Sequence, residues 1–120
     1  MRDIKFRGWN EVKEKMLNWN ELLDTNLKNI FTMQKKDTGI ILMQYTGLKD
    51  KNGKQIYEGD IVKVHYIGGN GVENDKVIFY RGTFCVDYSE DYKPLLNEIN
   101  HCCEVIGNIY DNSDLLEKEG

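Results

Sequence analysis

Hydrophobic and polar positions alternate in short runs along this chain, and turn-forming residues separate the runs. Ile4-Lys5-Phe6-Arg7 alternates apolar and basic, which predicts a strand with Ile4 and Phe6 facing inward. Trp9 follows, residues 10–14 are polar enough to turn, and Lys15-Met16-Leu17-Asn18-Trp19 reads as the returning strand of a hairpin. Residues 20–27 fit either a short helical turn or an irregular loop, because Leu22, Leu23 and Leu27 make a poor helical stripe. Asn29 to Met33 is strand-like, Lys35 to Gly39 turns, and Ile40 to Tyr45 is an apolar run suited to a buried strand.

Asn52-Gly53 then signals a tight turn, and Tyr57-Glu58-Gly59-Asp60 a second one. Beyond it, Ile61, Lys63 and His65 share one face of a strand, and Val62, Val64 and Tyr66 the other. Gly68 to Gly71 reads as a loop tip. Lys76 to Tyr80 and Thr83 to Tyr88 pair antiparallel about an Arg81-Gly82 turn. Residues 89–94 form a polar loop, and Leu95, Leu96 and Ile99 fit a short helix. Cys103 to Tyr110 is the last strand, and Asn112 is placed to cap a helix over Ser113 to Lys118. Short strands joined by tight turns predict a mainly β chain and a small closed or nearly closed barrel, since an open sheet this small would expose its edges.

Composition changes this picture little. The chain has 120 residues, enough for one domain, and its hydrophobic share of 40% is that of a globular protein. No apolar run is long enough to cross a membrane as a helix, and the start lacks the apolar core of a signal peptide, so a cytoplasmic protein is expected. The three cysteines, Cys85, Cys102 and Cys103, contain no C-x-x-C pair, which fits reduced thiols better than a disulfide framework. Net charge is −4, against the basic excess usual in nucleic-acid binders. The charge is uneven: residues 1–60 carry 11 basic and 9 acidic side chains, and residues 61–120 carry 5 and 11, so the halves stand at +2 and −6.

The stretch from Leu42 to Val62, with Tyr45-Thr46-Gly47-Leu48-Lys49-Asp50 and Asn52-Gly53-Lys54 at its centre, resembles the YopX family of phage and prophage proteins. So do the opening Ile4-Lys5-Phe6-Arg7-Gly8-Trp9 and the closing Val105-Ile106-Gly107-Asn108-Ile109-Tyr110-Asp111-Asn112. Residues 64–101 carry little of the likeness. Gly8 departs from the Ala commoner in the family, and Ser113 from a common Pro. The resemblance implies an SH3-like β-barrel of temperate-phage or prophage origin, and it implies no activity. The expected organisation is one domain over 1–120: an N-terminal hairpin and strands over 1–45, then the barrel and a short C-terminal helix over 46–120.

Candidate chemistry is sparse. His101, Cys102, Cys103 and Cys85 lack the spaced pairs of a zinc site and read as structural thiols, so no metal is expected. A Cys nucleophile would need His65 or His101 beside it in space. Glu58 and Asp60 read as turn caps rather than an acid–base pair. The glycine-rich tip lacks the Gly-Lys-Ser/Thr ending of a phosphate loop. No nucleophile, base and oxyanion donors assemble, so neither an enzyme nor a cofactor is expected. Lys49, Lys51 and Lys54 cluster with Tyr45 and Tyr57, a mixture that single-stranded nucleic-acid grooves use, although a solvated turn over barrel aromatics explains it more simply. Trp9 and Trp19 either face each other across the hairpin, cover the barrel, or form an exposed pair marking a protein interface. The candidate interaction surface is therefore Tyr45, Lys49, Lys51, Lys54, Tyr57, Trp9 and Trp19. The function expected is a non-enzymatic module that binds an unidentified host or phage protein or itself; the alternative is a nucleic-acid-binding barrel.

Overall fold

The computed structural model describes residues 3–25, 38–65 and 72–116. The strand expected over 29–33 and the loop tip at 68–71 lie outside them, as do Tyr66 and most of the turn at 35–39. The chain divides into two compact units, Met1–Tyr45 and Thr46–Gly120.

In the first unit, β1 (Phe6–Asn10) pairs antiparallel with β2 (Lys15–Leu17) on one side and with the start of β3 (Ile40–Lys49) on the other. The β1–β2 turn forms because the Asn10 side-chain carbonyl accepts the Val12 and Lys13 N–H groups at 3.0 and 3.1 Å. The ambiguous stretch after it is a short helix, α1 (Trp19–Leu23). A capping box starts it: Asn18 accepts the Glu21 N–H, and Glu21 reaches back to the Asn18 N–H. Leu22 of α1 is fully buried. It packs over Gly8, where a Cβ would lie 2.7 Å from Ile40 Cγ2 and 3.1 Å from Leu22 Cδ2. Gly8 is thus the space into which two side chains fit. Ile4, expected inward, is 65% exposed, because β1 begins only at Phe6 and Ile4 precedes the paired ladder.

The second unit holds the end of β3 with β4 (Gln55–Tyr57), and then β5 (Asp60–His65), β6 (Val72–Tyr80), β7 (Thr83–Val86), α2 (Leu96–Ile99) and β8 (Cys103–Asn108). The last four strands form an antiparallel sheet in the order β7-β6-β5-β8, and a register shift between Ile61 and Val62 bends β5. Ile56, Val62, Val64, Val77, Val86, Leu96 and Cys103 make the core, each at most 1% exposed. Burial of side chains of this size stabilises by roughly 1.5–3 kcal/mol apiece. The protein is the mainly β chain expected, with a half-barrel sheet and a helical turn at its C-terminal end. That turn is a 3₁₀ segment, Ser113–Leu116, and residues 117–120 lie outside the description.

Two polar pins hold this unit's turns. At the first, Asp50 is 6% exposed, and its Oδ1 accepts the N–H groups of Asn52 and Lys54 at 2.8 and 2.9 Å. Its Oδ2 accepts the Val105 N–H at 2.9 Å, tying the β3–β4 turn to β8. Burial is the largest influence on this carboxyl and pushes its pKa up, but the three N–H donors and the Lys54 charge together hold it below 3.8. The turn closes through Gly53 N–H to the Asp50 carbonyl, and Gly53 takes a left-handed φ of +82°. The second pin is Asn112. Its side-chain oxygen turns back to accept the Asn108 N–H at 3.2 Å instead of capping the following turn. A Cβ on Gly107 would meet that oxygen at 2.5 Å, so only glycine leaves room for it.

β7 is the sheet's edge strand among the described residues, and it is partly covered. Val86 donates its N–H to the Pro94 carbonyl at 2.9 Å, and Cys85 bridges to Leu95.

Candidate functional site

The residues singled out from the sequence divide sharply by exposure. Trp9 is 8% exposed and lies opposite Met16 in the β1–β2 ladder. Trp19 starts α1, and its ring packs against Phe6 with centroids 6.2 Å apart. The two tryptophans therefore do not form an exposed pair, because β2 ends at Leu17 and Trp19 has already left the hairpin. Tyr45 is buried beneath the Lys5 ammonium, 5.0 Å from its ring centroid, and burial, then the Asp3 charge, raises its phenol pKa. Lys49, Lys51 and Lys54 are exposed around the β3–β4 turn, with Lys51 3.9 Å from Glu104, and Tyr57 is half-buried at the end of β4. Asp60 is 2% exposed and accepts the Tyr57 N–H at 2.7 Å, the turn-capping role expected of it.

Cys85 and Cys103 are buried, and burial is the main cause that raises both thiol pKa values, that of Cys103 to about 12. Cys103 Sγ donates to the Ile99 carbonyl at 3.3 Å. Both are thiols, not thiolates, at neutral pH. Among the described residues no three His, Cys, Asp or Glu side chains are placed to hold a metal ion. A shallow polar depression beside β6 is lined by Asn74, Asp75, Lys76, Asp87 and Leu116, and its Asp87 is matched by Lys76 at 3.8 Å and Lys93 at 2.9 Å.

The exposed aromatic side chains among the described residues lie instead on the β6–β7 hairpin and the loop after it. Cross-strand register places Phe79 opposite Phe84 and Tyr80 opposite Thr83. Alternation continues the core line Val77–Val86 outward to Phe84, which is partly buried against the core, and to Phe79, which is not covered. Phe79 is accordingly 54% exposed, and its ring meets Phe84 edge-on at 5.1 Å. Tyr80, on the opposite face, is 40% exposed. Two cations lie over its ring, Arg81 at 5.2 Å and Lys93 at 5.3 Å. The connecting turn has two residues, and both Arg81 (φ +52°) and Gly82 (φ +83°) are left-handed, as the tight hairpin turn requires.

Lys93 organises the loop. Its ammonium donates to Asp87 at 2.9 Å and to the Ser89 carbonyl at 2.7 Å, and the Asp87 hydrogen bond is the main cause that raises its pKa. Ser89 and Tyr92 close the loop between them through Ser89 N–H to the Tyr92 carbonyl and Tyr92 N–H to the Ser89 hydroxyl, both 3.0 Å. Tyr88 and Tyr92 stand out from this frame as an edge-on pair, 6.1 Å apart. Sequence reasoning missed Phe79, Tyr80, Arg81, Phe84, Tyr88, Tyr92 and Lys93 as a group. The available signal was the position of aromatics immediately beside a two-residue turn, where a short hairpin outruns its core.

A short-stranded antiparallel half-barrel, with a hairpin unit before it and a helical turn after it, defines the class of small SH3-like β proteins. Within that class the chain belongs to the YopX family: the family described as YopX protein matches residues 5–117. Among solved structures it is similar to protein EF1440 from Enterococcus faecalis, at 23% identity and a TM-score of 0.68, over 98% of this chain and 100% of that one. It is also similar to YopX from Bacillus subtilis, at 27% identity and a TM-score of 0.64, with the same coverage. No curated protein matches it.

Proposed function

We propose that this chain is a non-enzymatic, phage- or prophage-encoded module of the host cytoplasm that binds a protein partner through the aromatic surface of its β6–β7 hairpin. The observation that supports this reading is the pair of exposed rings Phe79 and Tyr80 beside a two-residue hairpin turn, with Phe79 backed by the partly buried Phe84, continued by the exposed Tyr88 and Tyr92. Tyr, Phe and Arg dominate the energetics and composition of interface centres, and a preorganised hairpin loses little entropy on binding. The acidic balance of residues 61–120, which contain this surface, speaks against a nucleic-acid backbone as the ligand.

The test is site-specific photocrosslinking in host cells. A benzophenone side chain at Thr83, exposed on the hairpin, is compared with one at Val12, which is 85% exposed in the first unit. A defined protein adduct from Thr83, absent from Val12 and lost with Phe79→Ala, is expected. Equal labelling from both positions, no adduct, or retardation of labelled oligonucleotide at low salt by the purified chain overturns the reading.

A further inference from the structure

We infer that Arg81 is the charge anchor of this surface, and that its partner is an acidic segment in which Asp or Glu stands beside large apolar residues. The inference rests on the hairpin being a protein-binding surface and adds the chemistry of what it binds.

The first observation is conformational. Arg81 occupies the first central position of a turn at φ +52°, where Asn, Asp or Gly is the ordinary choice because a Cβ crowds the following carbonyl. A long cationic side chain is unfavourable there for the fold itself. Lys93 and Asp87 already order the neighbouring loop, so Arg81 is not needed to hold it.

The second observation is electrostatic. Among the described residues Arg81 makes no ion pair, whereas Lys51, Lys76 and Lys93 each have a carboxylate within 4.0 Å. Its guanidinium rests over the Tyr80 ring, 5.2 Å from the centroid. Resting against an aromatic ring leaves its N–H donors open, and their fork matches a carboxylate.

The third is the distribution of apolar groups around that cation. Phe79 is exposed on one face of the hairpin and Tyr80 on the other, so the tip presents a ring on each side of Arg81, while Lys93, the second cation over Tyr80, is held by Asp87. The complementary segment carries a negative charge flanked by aliphatic or aromatic side chains. A basic segment would meet Arg81 as a like charge. A phosphate backbone carries a charge at every residue and would meet the acidic excess of residues 61–120 along its length, whereas a segment with one or two carboxylates among apolar side chains places its charge at Arg81.

The experiment is selection of random displayed dodecapeptides on the full chain, repeated on Arg81→Asn and Arg81→Glu. Asn suits the left-handed turn, so Arg81→Asn removes the charge while keeping the hairpin. The expected outcome is enrichment of Asp or Glu next to Leu, Ile, Phe or Trp. The winning synthetic peptide should lose about tenfold or more in affinity for Arg81→Asn, and its Lys-substituted form should bind Arg81→Glu better than the parent. Enriched peptides without acidic bias, or affinity for Arg81→Asn within about twofold of the parent, overturn the assignment of Arg81 and leave the protein-binding reading standing. No enrichment, or binding indifferent to Phe79→Ala, removes that reading as well. A shift to a dimer in light scattering without peptide would make a second copy the occupant and overturn the inference in that form.

Discussion

Replacing Asp50 by Asn exchanges one carboxylate oxygen for an amide NH₂ group and removes the negative charge, with little change of shape. Oδ1 serves Asn52 and Lys54 inside the turn, and Oδ2 serves Val105 on β8. In Asp50→Asn the amide oxygen keeps the two turn bonds, and the NH₂ group then faces the Val105 N–H, donor against donor. The loss is one charge-assisted hydrogen bond at a carboxyl that is 6% exposed, plus an N–H left unmatched. Together these come to about 2–4 kcal/mol. At this chain length that is a fall in Tm of roughly 4 °C per kcal/mol. Urea unfolding with amide hydrogen exchange is the assay. Val105 should lose protection while Asn52 and Lys54 keep theirs, and Asp50→Ala should expose all three. The pH dependence has a definite sign. The folded carboxyl titrates below 3.8, so its contribution is complete above that pH and is lost as pH falls through the lower folded value. Parent and Asp50→Asn should therefore converge in stability on acidification. A loss under about 0.5 kcal/mol at pH 7, or a gap that widens in acid, would refute the view of Asp50 as the bond between turn and strand.

Gly107→Ala should destabilise by about 1–3 kcal/mol in chemical denaturation, because its Cβ would meet Asn112 Oδ1 at 2.5 Å. Gly8→Ala should cost about 1–2 kcal/mol despite the better strand propensity of Ala, and Ile40→Ala in the same chain should recover part of it, which a double-mutant cycle would measure. Arg81→Asn should raise stability by about 0.5–1 kcal/mol, read as a higher Tm, since it relieves the left-handed turn. Of the three cysteines, Cys102 alone should react promptly with a thiol reagent at pH 8, with Cys85 and Cys103 following only on unfolding; Ellman titration with and without denaturant distinguishes the two classes.

Elements governed by neighbours in sequence were legible before any coordinates. Alternation located the N-terminal hairpin, β5 and the pairing of β6 with β7. The Asn52-Gly53 turn followed from what its residues tolerate; at Arg81-Gly82 only the glycine suits the left-handed backbone. Extents were less legible: β3 runs on to Lys49 and β6 starts at Val72, because partner strands extend them beyond the apolar run. Roles that depend on distant residues were not legible. Asp50 looked like one more charge in a lysine-rich turn, and its partner Val105 lies 55 residues away. Asn112 has the chemistry of a helix cap, but a glycine five positions earlier gives its side chain a nearer use. The candidate surface was legible least. An aromatic residue in a strand reads as core, and only the length of the hairpin beyond its covering elements decides that Phe79 faces water while Trp9 does not.

The covered flank of β7 has a consequence for how anything can dock beside it. Pro94, the sole proline of the chain, supplies a carbonyl to Val86 but has no N–H to pass on. The stretch laid along the outermost strand is therefore a terminus for main-chain pairing: it satisfies its neighbour and offers the next chain no regular ladder there. A visitor to this end of the molecule must be chosen by the shape and charge of side chains, and a foreign strand with no matching side chains finds little to zip onto.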